Sequence, residues 1–425
     1  MGGSIKCQES NVIHNAMIFP AQKLIRHAVT VLVVFPALAT IVANAQPVHW
    51  VGTWGCGSQL TEPRNLPPAP GLTDNTLRQV VRVTLGGKRL RIEFSNAYGT
   101  NAMVMHSVHV ALDVGAKATS TINPATDKAL TFHGEPSVVI PPGEMVWSDP
   151  FDFDLPPLTD VAVTIYFGAT SGDVTGHPGS RTTSYIMPGN AVTATNMAGA
   201  IRTEHWYILT GIDVLADSSS RALVTLGDSI TDGRGTTTDE NNRWPDDLAF
   251  RLHTNAPTAG VAVINMGIGG NGIFGGLGPS VKKRFDRDVL DQSGVQWVIF
   301  FEGVNDIGGA RGDREAALAT NLIAAYKEFI AKAHAHNIRV YGATITPFGG
   351  SFYDHGTHVA IQETVNNWIR TNHLYDAVID LDAAVRDPAK PTQLRPAYDC
   401  GDHLHLNPAG YHAMANAIDL NLFTH

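Results

Sequence analysis

Four short segments in the second half of the chain hold residue types suited to acyl transfer. Leu226-Gly227-Asp228-Ser229-Ile230-Thr231-Asp232-Gly233 sets a serine at the end of an apolar, strand-like run, with glycines on both sides. Such a serine can expose its Oγ at a sheet edge and hold its backbone N–H at the N-terminus of the next helix, where negative charge is favoured. It can equally be an N-cap. Near the C-terminus, Asp399-Cys400-Gly401-Asp402-His403-Leu404-His405-Leu406-Asn407-Pro408 offers Asp402 and His405 in one loop. An imidazole there can take a serine's proton while a carboxylate fixes its tautomer. The same stretch also reads as a two-histidine metal pair, His403 and His405, or as a polar helix cap. No HExxH motif or obvious third ligand accompanies the pair. Between these segments lie Asn265-Met266-Gly267-Ile268-Gly269-Gly270-Asn271-Gly272 and Glu302-Gly303-Val304-Asn305-Asp306. Glycine backbone and an Asn carboxamide can aim N–H donors at an oxyanion. The glycine run lacks dinucleotide spacing and does not follow the first strand, so no nicotinamide or flavin cofactor is expected.

Positioning these residues requires strand ends on one side of a sheet. From residue 219 onward, apolar runs at Ala222–Leu226, Val261–Met266, Trp297–Phe301, Val340–Thr346 and Ala377–Leu381 alternate with amphipathic stretches at Trp244–Leu252, Arg314–His334 and His358–Ile369. That alternation predicts a three-layer α/β/α, flavodoxin-like domain with a five-stranded parallel sheet and ligands at the carboxyl ends of its strands. Residues 46–218 have another grammar, short alternating runs cut by Gly, Pro, Asn and Asp, which predicts an all-β, jelly-roll-type sandwich. Val81, Val83 and Leu85, then Gly86-Gly87, then Leu90, Ile92 and Phe94 form the strongest hairpin pattern. Trp54, Trp147 and Trp206 are candidates for glycan contact or, the preferred reading, for sandwich core.

The chain has 425 residues, a formal charge of −9 and 16% charged residues, below the usual share of about 25%. With no basic run, nucleic acid is excluded as a partner, and a neutral substrate is favoured. Lys23 and Arg26 precede an apolar stretch ending Ala43-Asn44-Ala45, the pattern of a signal peptide cut after Ala45. Residues 1–45 are therefore read as a leader, with Met1 or Met17 as its start. The protein is expected to be secreted or periplasmic, with no membrane insertion after signal removal. In that oxidising setting Cys56 and Cys400 are as readily a disulfide as two separate thiols.

The four chemical segments resemble, in order and in place at strand ends, the four blocks of the SGNH (GDSL-type) hydrolase family. Trp50-Val51-Gly52-Thr53-Trp54, Phe94-Ser95-Asn96-Ala97-Tyr98-Gly99, Ser148-Asp149-Pro150, Arg243-Trp244-Pro245-Asp246 and Thr344-Ile345-Thr346-Pro347-Phe348 extend the resemblance to its two-domain bacterial secreted branch, similar to carbohydrate acetyl esterases. It implies Ser229 as nucleophile, His405 as base and acid, and Asp402 as its orienting partner. It also implies an oxyanion hole of the Ser229 and Gly270 backbone N–H groups and the Asn305 amide, with no metal or organic cofactor. Two departures stand out: Leu406 replaces the proline that often follows the histidine, and Cys56 and Cys400 replace small residues, which favours the bridge. The expected function is hydrolysis of short acyl esters, on acylated carbohydrate or a small ester. Alternatives are an aryl or alkyl esterase or a lysophospholipase-like enzyme, with Phe274, Leu277, Phe348, Phe352 and Tyr353 as groove-lining candidates, and, more remotely, a non-catalytic polysaccharide-binding protein.

Overall fold

A computed structural model describes Met1 and residues 48–115 and 117–424. The leader assigned to residues 1–45 lies, apart from Met1, outside the described residues. Gln46–His425 form one compact unit.

Its first part is a sandwich of two antiparallel sheets. One sheet orders Val48–Gly55, Leu209–Asp217, Gly87–Ser95 and Met145–Trp147, with Phe151–Leu155 also pairing Gly87–Ser95. The other orders Ile201–Thr203, Ser184–Pro188, Asn75–Arg82, Asp160–Phe167, Met103–Leu112 and Lys128–Ala129, with Val138–Ile140 also on Met103–Leu112. Leu90, Ile92 and Phe94 from one sheet and Val108, Val110, Val163 and Ile165 from the other are buried in one core. The hairpin expected at Gly86-Gly87 is not formed. Asn75–Arg82 and Gly87–Ser95 belong to different sheets, and the chain between them turns a corner fastened to Thr53. The Thr53 hydroxyl donates to the Leu85 carbonyl and accepts the Leu85 N–H, both at 2.7 Å. The apolar alternation is the same in either arrangement, because both strands line the same inter-sheet core.

Trp54 and Trp206 pack edge to face with ring centroids 5.0 Å apart, both buried, and Trp206 Nε1 donates to the Val80 carbonyl. Trp147 is half-buried under the Arg91 guanidinium. A small ribbon of Trp206–Tyr207, Thr175–His177 and Gln59–Leu60 carries His177 and Gln59 out of the sandwich.

From Arg221 onward the strands pair in parallel. Five parallel strands, Arg221–Gly227, Val261–Gly267, Val295–Phe301, Arg339–Ala343 and Ala377–Ile379, lie with the second at one edge, then the first, third, fourth and fifth. The order reverses beside the first strand, which opens a crevice at its carboxyl end. The helices are α1 (Ser229–Asp232), α2 (Trp244–Thr254), α3 (Val281–Phe285), α4 (Val304–Gly309), α5 (Asp313–His334), α6 (His358–Thr371), α7 (Leu381–Val385) and α8 (Pro408–Asn416). Residues of α2, α7 and α8 bury with Leu223, Val263 and Ile299 on one face of the sheet. Residues of α3, α5 and α6 bury with Val224, Leu226 and Phe300 on the other. Alternate residues of each strand thus serve opposite layers.

Cys56 and Cys400 are both free thiols, so the bridge considered from the sequence is not made. Cys56 is buried where the sandwich meets the parallel sheet, its Sγ 3.6 Å from the Leu209 carbonyl, whereas Cys400 is exposed in the histidine loop beside Asp402.

Candidate active site

Ser229 is the first residue of α1. Asp228 caps that helix by accepting the Ile230 N–H at 2.9 Å, and Gly233 ends it with φ 97°. The turn out of the first strand is tight: a Cβ on Gly227 would stand 2.1 Å from Thr231 Oγ1. As first residue of a helix, Ser229 has no intrahelical acceptor for its N–H. Its side chain is nearly buried, and its Oγ lies 2.8 Å from His405 Nε2.

His405 arrives on the loop between α7 and α8. Asp402 Oδ1 accepts the backbone N–H groups of Leu404 (3.1 Å) and His405 (2.8 Å), and its Oδ2 accepts a hydrogen bond from His405 Nδ1–H at 2.7 Å. One carboxylate therefore shapes the loop and orients the ring, leaving the Nε2 lone pair for the serine. Burial, the largest influence, pulls the His405 pKa below 6.5, against Asp402, with Arg234 and Arg181 adding to the fall. Burial acts to raise Asp402, but the His405 backbone N–H and ring outweigh it and hold the carboxyl down to about 2. Leu406 is fully buried, so apolar packing stands in for the rigidity of a proline. His403 turns away to the surface, its Nδ1 2.5 Å from Asp399 Oδ2. The two histidines of the metal-pair reading thus diverge. Asp399, Cys400 and Asp402 do bring three donor atoms within 4.8 Å of one another. Asp402 is committed to His405, however, and burial foremost keeps the Cys400 thiol protonated by raising its pKa.

Gly270 and Asn305 line the same cleft as Ser229 and His405. Gly270 has φ 74°, a conformation that suits glycine, and the loop after it is pinned by Asp306, which accepts the N–H groups of Ile273 (2.8 Å) and Phe274 (3.0 Å). Asn305, in α4, gives one amide proton to the Asn271 carbonyl at 2.8 Å, and its Oδ1 accepts the Tyr353 hydroxyl at 2.8 Å. The second amide proton is left for a ligand. Behind the cleft, Arg284 is fully buried and joins strand ends, donating to the carbonyls of Gly227 and Met266, to Asn271, and to the carboxylates of Asp288 and Glu302. Burial pushes the nearby Asp228 carboxyl up to about 7 and Glu302 well up.

The sandwich forms one wall. The cleft, about 390 Å³, is lined from that side by Gln59, Glu62, Arg64, Asn65, His177 and Arg181. His177 is buried and bridges the two halves, Nδ1 to the Gly57 carbonyl at 2.8 Å and Nε2 to Asp232 Oδ1 in α1 at 2.9 Å; Arg181 meets Asp232 Oδ2 at 3.4 Å. A Cβ on Gly179 would fall 1.9 Å from that carboxylate. None of His177, Arg181, Asp232, Arg284 or the Tyr353 bond to Asn305 is expected from the motifs. The Gly176-His177-Pro178-Gly179 turn, a histidine among residues that allow close approach, is the one available signal. Of the apolar loop candidates, Leu277, Phe352 and Tyr353 line the cleft, and Phe274 lines an adjoining hollow of about 620 Å³ that shares Asn305. Phe348 is wholly buried.

The sequence profile of the GDSL-like lipase/acylhydrolase family matches residues 225–413. Among solved structures, the chain is similar to a G-D-S-L family protein from Desulfitobacterium hafniense DCB-2, at 20% identity over 47% of this chain and 97% of that one, TM-score 0.36. It is similar to the acetyl xylan esterase AlAXEase, at 26% identity over 46% and 96%, TM-score 0.36. It is also similar to a variant of Axe2, an acetyl xylan esterase from Geobacillus stearothermophilus, at 20% identity over 46% and 92%, TM-score 0.36. No curated protein matches the chain. Residues 225–413 thus form a GDSL-like lipase/acylhydrolase domain of the SGNH type, and the protein is a carboxylic ester hydrolase.

Proposed function

We propose that the protein is an exported serine esterase that removes acetyl or other short acyl groups from carbohydrate, with a sandwich to about residue 218 serving as wall and support for the catalytic layers that follow. The observation carrying this reading is the unbroken chain from Ser229 Oγ through His405 to Asp402, at 2.8 and 2.7 Å. As Ser229 Oγ attacks the ester carbonyl, its proton passes to His405 Nε2, and the imidazolium is stabilised by Asp402. The carbonyl oxygen becomes an alkoxide held by the N–H groups of Ser229 and Gly270 and the Asn305 amide. His405 then protonates the departing alcohol, leaving an acyl-serine. Water, losing its proton to the same Nε2, attacks that ester, and the acid leaves as Ser229 regains its proton. Protein groups handle every proton and charge, so the scheme calls for no cofactor. Export rests on the sequence pattern of the leader; among the described residues no helix is long and apolar enough to cross a membrane.

Carbohydrate is favoured by the polar side chains Gln59, Asn65, Glu62 and Arg64 that line the cleft. The test is acetate release from acetylated xylan, run beside Ser229→Ala, with p-nitrophenyl acetate as a check on active protein. Release abolished by the substitution is expected; turnover of the small ester without release from xylan would move the substrate away from this polysaccharide. A lipolytic reading draws on the apolar hollow lined by Phe274 and Leu318 beside Asn305. In a p-nitrophenyl ester series, kcat/KM falling from acetate to octanoate would count against it.

A further inference from the structure

Three side chains unused by the esterase scheme converge where the turn between α4 and α5 meets the start of α6. Glu315, His355 and His358 each offer one donor atom, and these atoms lie within 4.8 Å of one another. His358 is fully buried. Its Nδ1 lies 2.8 Å from the Tyr353 carbonyl, while its Nε2 lies 3.2 Å from the Ala310 carbonyl and 4.0 Å from Glu315 Oε1. A neutral imidazole has one N–H and one lone pair. With the proton on Nδ1, toward the nearer carbonyl, the Nε2 lone pair faces two oxygen acceptors in a buried corner. Such an arrangement is costly unless a proton or a cation lies among them. The Thr357 hydroxyl donates to the Glu315 carboxylate at 2.7 Å, which fixes the position of that carboxylate. His355, exposed and stacked beside His358 at 5.5 Å between ring centroids, adds a third donor that a proton on His358 would not require.

We propose that Glu315, His355 and His358 bind a divalent transition-metal cation of the Zn²⁺ class. Two imidazoles and a carboxylate are a donor set that suits this ion, and the His358 Nδ1–H bond to a backbone carbonyl is the outer contact that fixes a ligating tautomer. Bonds of about 2.0–2.2 Å place tetrahedral donors roughly 3.3 Å apart, so rotation of the exposed His355 ring closes the site, with the Ala310 carbonyl or water as fourth ligand. The ion is structural. It ties the Tyr353 loop to the α4–α5 turn, and the Tyr353 hydroxyl is one of the two groups that hold the Asn305 amide. The site stands independently of which ester is cleaved.

The experiment is calorimetric titration of chelator-stripped full-length protein with Zn²⁺, with Mg²⁺ as a control, repeated for His355→Ala, Glu315→Gln and Cys400→Ser, and paired with thermal melts. One Zn²⁺ per chain is expected, with a rise in Tm. Affinity should fall at least about tenfold in His355→Ala and in Glu315→Gln, and stay unchanged in Cys400→Ser, which probes the Asp399–Cys400–Asp402 group. The exposed position of His355 keeps its variant folded. No saturable binding up to millimolar Zn²⁺, binding that survives both ligand substitutions, or binding lost with Cys400 would overturn the proposal.

Discussion

Asp402 serves His405 twice, by forming the turn that presents the ring and by accepting a hydrogen bond from its Nδ1–H, so the pH behaviour of the site follows from one loop. With Asp402 held down to about 2, it stays ionised through the working range, and the acid limb of activity belongs to His405. Burial first, then the positive charges of Arg234 and Arg181, set that histidine's pKa below 6.5. Only the neutral ring can accept the serine proton, so kcat/KM is full above this pKa and is lost as pH falls through it. The profile should therefore have its midpoint below pH 6.5, and Arg234→Ala should move it upward; a midpoint above 6.5, or a downward move, would sink this account. At the oxyanion, Asn305→Ala should lower kcat by about 10² to 10³ with little change in KM. Tyr353→Phe removes one of the two bonds that orient the amide, the other running to the Asn271 carbonyl, and should lower kcat by about tenfold. Equal kcat values for Tyr353→Phe and wild type would show that Asn305 is held without the hydroxyl. The serine, histidine, aspartate and asparagine are legible in the sequence because each sits in a short block of distinctive type and spacing. Tyr353 is not, because an aromatic residue in a loop reads the same whether it packs, lines a groove or positions a neighbour.

The helix that carries Ser229 has only four residues, too few to hold its own geometry, and its far end is held by Asp232 against the sandwich. Asp232 is 2% exposed, and its carboxyl is kept ionised despite burial, the largest influence, by His177 and then Arg181. His177→Ala leaves that buried carboxylate with one long contact to Arg181, and should cost about 3 kcal/mol of stability. Denaturant midpoints for His177→Ala, Asp232→Asn and the double variant provide the check. The double should cost less than the sum of the singles, and strict additivity would mean that the two residues do not act as a pair. Strands and helices are legible where one periodicity holds over a whole element: the runs at Ala222–Leu226 and Arg314–His334 emerge within a few residues of their observed ends. The partner of a strand is not. Val81, Val83 and Leu85 alternate as a hairpin arm would, yet lead into a corner between sheets, since inward-facing alternation reports burial and not which neighbour supplies the hydrogen bonds. Arg284 is hidden for a related reason. An arginine in an amphipathic stretch reads as a solvated charge, and only the convergence of three strand ends reveals acceptors enough to bury it.

The change of pattern at residues 217–220 marks where antiparallel pairing gives way to parallel, and the packing runs across it without a break. Val51, Trp54 and Cys56 of the sandwich share one buried cluster with Ile264 and Met266 of the parallel sheet. The second strand of that sheet lies at its edge, and the sandwich meets its free backbone groups: Thr84 Oγ1 accepts the Val263 N–H at 3.0 Å, while Cys56 bridges to Asn265. An uncovered edge of this kind is a template for aggregation. The two architectures should therefore melt together. For a unit of about 380 residues, one cooperative transition carries an enthalpy of roughly 270 kcal/mol near 60 °C, and two independent halves would each show about half of it. Scanning calorimetry should give a single peak whose van't Hoff enthalpy matches the calorimetric value. Residues 219–425 expressed alone should aggregate, because the Val261–Gly267 edge and the apolar face at Ile264 and Met266 lose their cover. Two resolved peaks, or a soluble monomeric 219–425 fragment with the esterase activity of the whole, would instead make the sandwich an accessory. The His177–Asp232 contact would then be a docking point between separable domains and no longer part of one fold.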